Sequence, residues 1–269
     1  DVNYHGFQSS PYTIVAGGHN RFDADYASST PGAAVLVSGP AQSVRTTDRE
    51  GSAGSSAGDT VQINGTSFAA PAVSGVVALM LEANPDLGYR DVQEILTLSS
   101  KLVDPNSPEW AMNGAGNWNG GGRHVSHELG FGAVDAHNAV RLAETWEGQG
   151  TYQNLVTNAA MHDFGGSFLI DPTIVATISV ADIAFDLDQV LVSVDLVHDH
   201  IGDLVISLES PSGTVSTLMD RPGLGGASAS TAIDQFQFSS VQFWDEQVAG
   251  DWTLTVQDGG SGGSGAVSG

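Results

Sequence analysis

The 269-residue chain has no cysteine at all, which removes any disulfide framework and any thiol nucleophile. It is also poor in positive charge. Only eight lysines and arginines stand against thirty-one aspartates and glutamates, giving a formal charge of −23. Binding to a nucleic-acid backbone needs clustered Lys and Arg, so that class of function is excluded, and a basic or cationic partner suits the surface better. No uninterrupted run of apolar residues is long enough to span a bilayer, and the first twenty residues lack a basic segment followed by an apolar one; neither a membrane span nor a signal peptide is read here. What the chain does have is 41% hydrophobic residues, enough for one large domain or two ordinary ones with real cores.

The two halves differ in kind. Residues 1–148 hold sixteen acids and seven bases, and residues 149–269 hold fifteen acids and a single base, Arg221. The first half alternates short apolar runs, at 12–16 and 33–37, with Gly, Ser and Asp-rich loops, and then becomes helical from Ser67 onward, an α/β pattern. Ala70, Val73, Val76, Val77, Met80 and Leu81 predict a helix buried on most sides, ended by Asn84 and Pro85. A second helix is predicted over 89–99 with Val92, Ile95 and Leu96 inward, and a third over 134–145 with Ala136, Val140 and Leu142 inward. Beyond Trp146, β-branched runs at 173–180, 190–197, 204–208 and 252–256 read as strands, and Pro211-Ser212-Gly213 and Pro222-Gly223 as turns. The second half is therefore predicted to be an antiparallel, jelly-roll-like β-sandwich, with the boundary near 148. The tail from Asp258 is Gly and Ser-rich, yet Ala266-Val267 reads as the approach to another strand.

The strongest chemical signal is Asn64-Gly65-Thr66-Ser67-Phe68-Ala69-Ala70-Pro71, where a glycine-bearing loop enters the first long helix. A serine there has free backbone N–H groups and the positive end of the helix dipole beside it, which suits stabilising an oxyanion in acyl transfer. Gly65 permits a tight turn, Ala69 and Ala70 leave room for neighbouring groups, and Pro71 is read as lying in the first turn, where no N–H is needed. On the residues alone, a Ser or Thr at this place can equally be no more than a helix cap. Asp182, Asp186, Asp188, Asp195, Asp199 and Asp203 could supply oxygen ligands to calcium as a structural ion, with Asp199 and Asp203 the preferred pair. His198 and His200, two apart, have no third zinc ligand in view and read as a packed or exposed pair.

The eight-residue segment resembles the nucleophile signature of subtilases, Gly-Thr-Ser-x-Ala-x-Pro, at every fixed position. The stretches at 81–85, 89–93, 124–127, 130–132 and 134–136 resemble the kexin and furin branch, and 202–204, 210–214 and 250–254 resemble the P domain, or Homo B domain, that follows the protease there. The resemblance implies a partial subtilisin-like catalytic domain with a parallel sheet over 1–148 and a P domain over 149–269 packed on it. It implies a secreted serine endopeptidase acting on proteins or peptides, with Ser67 as nucleophile and oxyanion donor and no cofactor for the chemistry. In that family the triad aspartate and histidine precede the segment resembled by Asn3 to Ser10, so the chain alone is expected to be inactive. The P domain is likewise expected to stop before its last strand and leave an unpaired sheet edge. Where the furin pattern has an aspartate lining an acidic substrate pocket, this chain has His5, and Ser28 stands about where a calcium-binding acid is expected, so a preference for paired basic residues is open. Two other readings remain: a sedolisin-like serine-carboxyl peptidase with an acid pH optimum, and a non-catalytic binding or adhesion protein with a degenerate protease half.

Overall fold

The structure, a computed structural model, describes residues 1–116, 121–162, 168–170, 173–181, 185–223, 231–260 and 265–267. A 3-10 turn at Val2–Tyr4 leads into two parallel strands, β1 (Val15–His19) and β2 (Val35–Pro40). A hairpin of β3 (Val44–Thr47) and β4 (Thr60–Ile63) follows, and then the helices α1 (Thr66–Ala83) and α2 (Tyr89–Ser99). The short pair β5 (Ala111–Met112) and β6 (His124–Val125) precedes helix α3 (Ala136–Glu144). β2 is almost wholly buried, as a strand covered on both faces should be. Leu36, Val37, Val73, Val76, Met80, Ile95, Leu96 and Phe131 form the core between this strand and the helices.

The second half is two antiparallel four-stranded sheets packed face to face. Its strands are β7 (Phe168–Ile170), β8 (Thr173–Val180), β9 (Val190–His198), β10 (Leu204–Glu209), β11 (Val215–Asp220), β12 (Ala232–Ser240), β13 (Gly250–Asp258) and β14 (Gly265–Val267). One sheet has the order β11-β10-β13-β8, the other β12-β9-β14-β7. Leu204, Ile206 and Leu208 point inward at alternate positions of β10, and with Leu196, Phe238, Phe243 and Trp252 they fill the space between the sheets. The fold is thus α/β followed by an antiparallel sandwich.

Three sequence expectations are corrected. α1 is not buried on most sides: Ala69, Val73, Val76 and Met80 form its covered face, while Leu79 and Leu81 are 47% and 40% exposed. With eighteen residues it is also long and apolar enough by length and composition to cross a membrane, but Ser67, Ser74 and Glu82 interrupt its apolar run and its covered face packs on β1 and β2. In α3, Ala136 is exposed because it is the first residue of the helix; Ala139 and Ala143 are the fully buried residues, and Leu142 packs against the core as expected. Finally, Gly265–Val267 pairs with both β9 and β7, so this segment lies inside its sheet and does not mark an edge.

The halves share a tight junction. Trp244 of the sandwich is 1% exposed and lies among α/β residues, edge-on to Phe131 at 6.4 Å. Asn113 donates to Gln242 O at 3.0 Å and Trp244 O at 2.9 Å, and its own Oδ1 accepts from the backbone N–H of Arg123 and Ala115. Near the start of the chain, Asn3 Oδ1 accepts the Ser239 N–H at 3.0 Å and the Tyr4 hydroxyl donates to Asp220 O at 3.2 Å. Two of the few cations bind acids of the sandwich, Arg90 to Asp188 at 2.5 Å and Arg123 to Asp245.

Candidate active site

Strand β4 delivers the chain to Asn64, and two hydrogen bonds fix the loop before α1. Asn64 Oδ1 accepts the Ser43 N–H at 2.7 Å, and the Gly65 N–H donates to Ala41 O at 2.7 Å. Gly65 takes φ +142°, a conformation open to glycine and costly for a residue with a Cβ. Thr66 begins the helix and Ser67 is its second residue. Gly65 offers no side-chain cap, so the first-turn N–H groups near Ser67 are not spent on one. Ser67 is exposed.

The helix entry is held close to the sheet by missing side chains. A Cβ on Gly39 at the end of β2 would stand 2.8 Å from Ala69 O and 3.0 Å from its Cα. Ala69 is fully buried there, so its small size serves packing on the strand; the room for neighbouring groups read from it is instead found at the exposed Ala70. Pro71 corrects a second expectation. It is the sixth residue of α1, beyond the first turn, and the carbonyl four residues back, which its absent N–H leaves without the usual helical partner, is that of Ser67.

The histidines do not gather at Ser67. His19, at the end of β1, has Nδ1 3.2 Å from Ser38 Oγ, and burial lowers its pKa. His124 and His127 lie beside the sandwich junction and are likewise lowered by burial. His5 sits on an exposed turn whose carbonyl accepts from Gln8 and Ser9 N–H, next to the Asn3 and Tyr4 contacts with the sandwich. His198 is fully buried, accepting the His200 N–H at Nδ1 and facing Asp258 at 3.5 Å. Among the described residues no three His, Cys, Asp or Glu side chains converge closely enough to hold a metal ion. Asp203 is buried at the end of a 3-10 turn, and Asp182 lies outside the described residues; among the described residues the acids offered as calcium ligands form no group of three. The sequence reading missed the Asn64–Ser43 tie and the Gly39–Ala69 approach, since neither partner is marked by local pattern.

A serine exposed at the uncapped N-terminus of a helix that follows a parallel strand pair, with an antiparallel sandwich locked on behind, defines the subtilisin-like fold with a P-domain. The subtilase family model matches residues 7–132, and the proprotein convertase P-domain model matches 187–268. Rat (Rattus norvegicus) furin is 34% identical over 197 residues, covering 72% of the chain and 24% of furin. Protease KEX1 of Kluyveromyces lactis is 31% identical over 273 residues, covering 95% of the chain and 33% of that protein. The chain thus spans about a quarter to a third of these curated relatives. The crystal structure of a serine protease of Aeromonas sobria superposes with a TM-score of 0.80 over 99% of the chain and 58% of its own, at 23% identity, and shows the shared fold. The chain belongs to the subtilase family, in its furin and kexin branch.

Proposed function

We propose that this chain is the nucleophile-bearing part of a serine endopeptidase that hydrolyses peptide bonds by acyl transfer through Ser67. The supporting observation is the exposed Ser67 hydroxyl at the uncapped start of α1, on a loop pinned by Asn64 and Gly65. Ser67 Oγ attacks the scissile carbonyl while its backbone N–H, at the positive end of the helix, faces the oxyanion that forms. A serine needs a base to take its proton and a third group to orient that base. No histidine of the described residues is hydrogen-bonded to Ser67, so base and orienting acid come from a longer protein, as relatives about three times this length represent. The sandwich stabilises the α/β half through the Trp244, Asn113 and Arg123 contacts. Proteins or peptides are the substrates, and the furin, kexin and bacterial protease likenesses favour a place in the secretory pathway or outside the cell.

The test uses the full-length protein. A fluorophosphonate probe is expected to form one adduct, mapped by mass spectrometry to Ser67, and Ser67→Ala to lose both adduct and peptidase activity, roughly a thousandfold or more. An unlabelled Ser67 in a folded protein would overturn the reading in favour of a binding module.

A further inference from the structure

Where the two halves meet, two carboxylates converge on one guanidinium. Arg123 enters from the loop ahead of β6, and its side chain is 8% exposed. Its Nη2 donates to Glu94 Oε1 of α2 at 2.7 Å and also to Asp245 Oδ2 of the sandwich, while Nη1 donates to Thr97 Oγ1. The other oxygen of Glu94 accepts the indole N–H of Trp244. Both carboxylates therefore hang on the same nitrogen, close to each other and mostly out of water. Asp186, held by Gln247, adds negative potential from the sandwich side. No second cation is paired with either acid among the described residues.

The charge count decides the chemistry. With both acids ionised the cluster carries one surplus negative charge in a poorly hydrated place, where repulsion is weakly screened. One proton removes the surplus and leaves a one-to-one ion pair. We propose that this junction is a proton-linked latch: the Glu94–Arg123–Asp245 cluster binds one proton in mildly acidic solution and clamps the sandwich to the α/β half more firmly there than at neutral pH.

Asp245 is the group that takes the proton. Burial first, and then the nearby Glu94, raise its carboxyl to about 6 in spite of Arg123. The sign follows from linkage. A carboxyl whose docked pKa lies above its free value of 3.8 holds more proton docked than undocked between those two values. Its contribution is complete below the free value and is lost as pH rises through about 6. When protonated, Asp245 keeps an oxygen for Nη2 and gains an O–H, so the contact survives protonation. The docked-to-undocked ratio can change by up to about a hundredfold across that window.

This proposal does not depend on the peptidase reading and is tested on the 269-residue chain. Thermal midpoints of the wild type, Asp245→Asn and Glu94→Gln are measured at about pH 5 and about pH 7.5. Asn imitates the protonated carboxyl, so the midpoint of Asp245→Asn relative to wild type is expected to move upward between the lower and the higher pH. A relative midpoint that is the same at both pH values overturns the latch, whatever its absolute size. Carboxyl carbon NMR provides the second measurement. The Asp245 midpoint is expected near 6 in the wild type and shifted down toward the ordinary aspartate value in Glu94→Gln, and a wild-type midpoint at or below about 4.5 overturns the proposal.

Discussion

His127 accepts a hydrogen bond from the Thr217 N–H at 3.0 Å across the junction, which requires an unprotonated Nε2, and burial holds its pKa below the usual 6.5. The unfolded chain therefore binds this proton more readily, and the stability that His127 contributes is present above 6.5 and lost as pH falls through its lowered value. This is opposite in sign to Asp245. Replacing His127 by Asn is expected to lower the thermal midpoint near neutrality and to shrink the loss of stability between about pH 7 and about pH 5, as followed by calorimetry. Single residues were legible in the sequence where their chemistry is local. Ser67 could be found because its helix entry, glycine and small neighbours lie within eight positions of one another. The partner of His127 is 90 residues away and that of Arg123 is 122, so no local pattern marks either one.

At the scale of elements, α1 carries an internal conflict. Pro71 deprives the helix of one hydrogen bond at the turn that holds Ser67, and the Ser67 carbonyl is the acceptor left over. Pro71→Ala is expected to raise unfolding free energy by about 1–3 kcal/mol in denaturant titrations. On the proposed acyl-transfer reading, it is expected in the full-length protein to lower kcat while leaving KM nearly unchanged, because a restored helical bond draws the Ser67 backbone into regular register. Helix α2 was readable to the residue, since Val92, Ile95 and Leu96 repeat at helical spacing and its buried Asp91 accepts from the Gly88 N–H at 2.7 Å. β11 and β12 were not read. Asp234, Gln235 and Gln237 interrupt the apolar run of β12, and the polar positions of β11 hide its alternation, so only cross-strand pairing reveals them as strands. The burial of α1 was overestimated for a related reason, because composition cannot tell which flank of an apolar helix has a neighbour.

For the molecule as a whole, the halves were legible as a change in charge and strand content, whereas their interlocking was not. Ala33 and Tyr4 pack into the sandwich core, and Val241 and Trp244 pack into the α/β core, so the two cores exchange residues across the composition break. Asn113 is the central tie, buried and using both ends of its amide on four backbone groups. Asn113→Ala is expected to cost about 2–4 kcal/mol of unfolding free energy, because it strands buried backbone groups on both sides at once. Hydrogen exchange should show faster opening at 241–246 and along α2 together; acceleration confined to one half would argue against a shared unit.

The placement of β14 bears on how the molecule assembles. Val267 sits beside Leu196 and Phe168, so the inner seam of one sheet is made from segments roughly seventy and one hundred residues apart in the chain. On a ribosome, β7 and β9 emerge long before the piece that joins them, and until it arrives they offer an open slot for backbone pairing. Such distant contacts slow folding, and for that interval an extended segment of any other chain could occupy the gap.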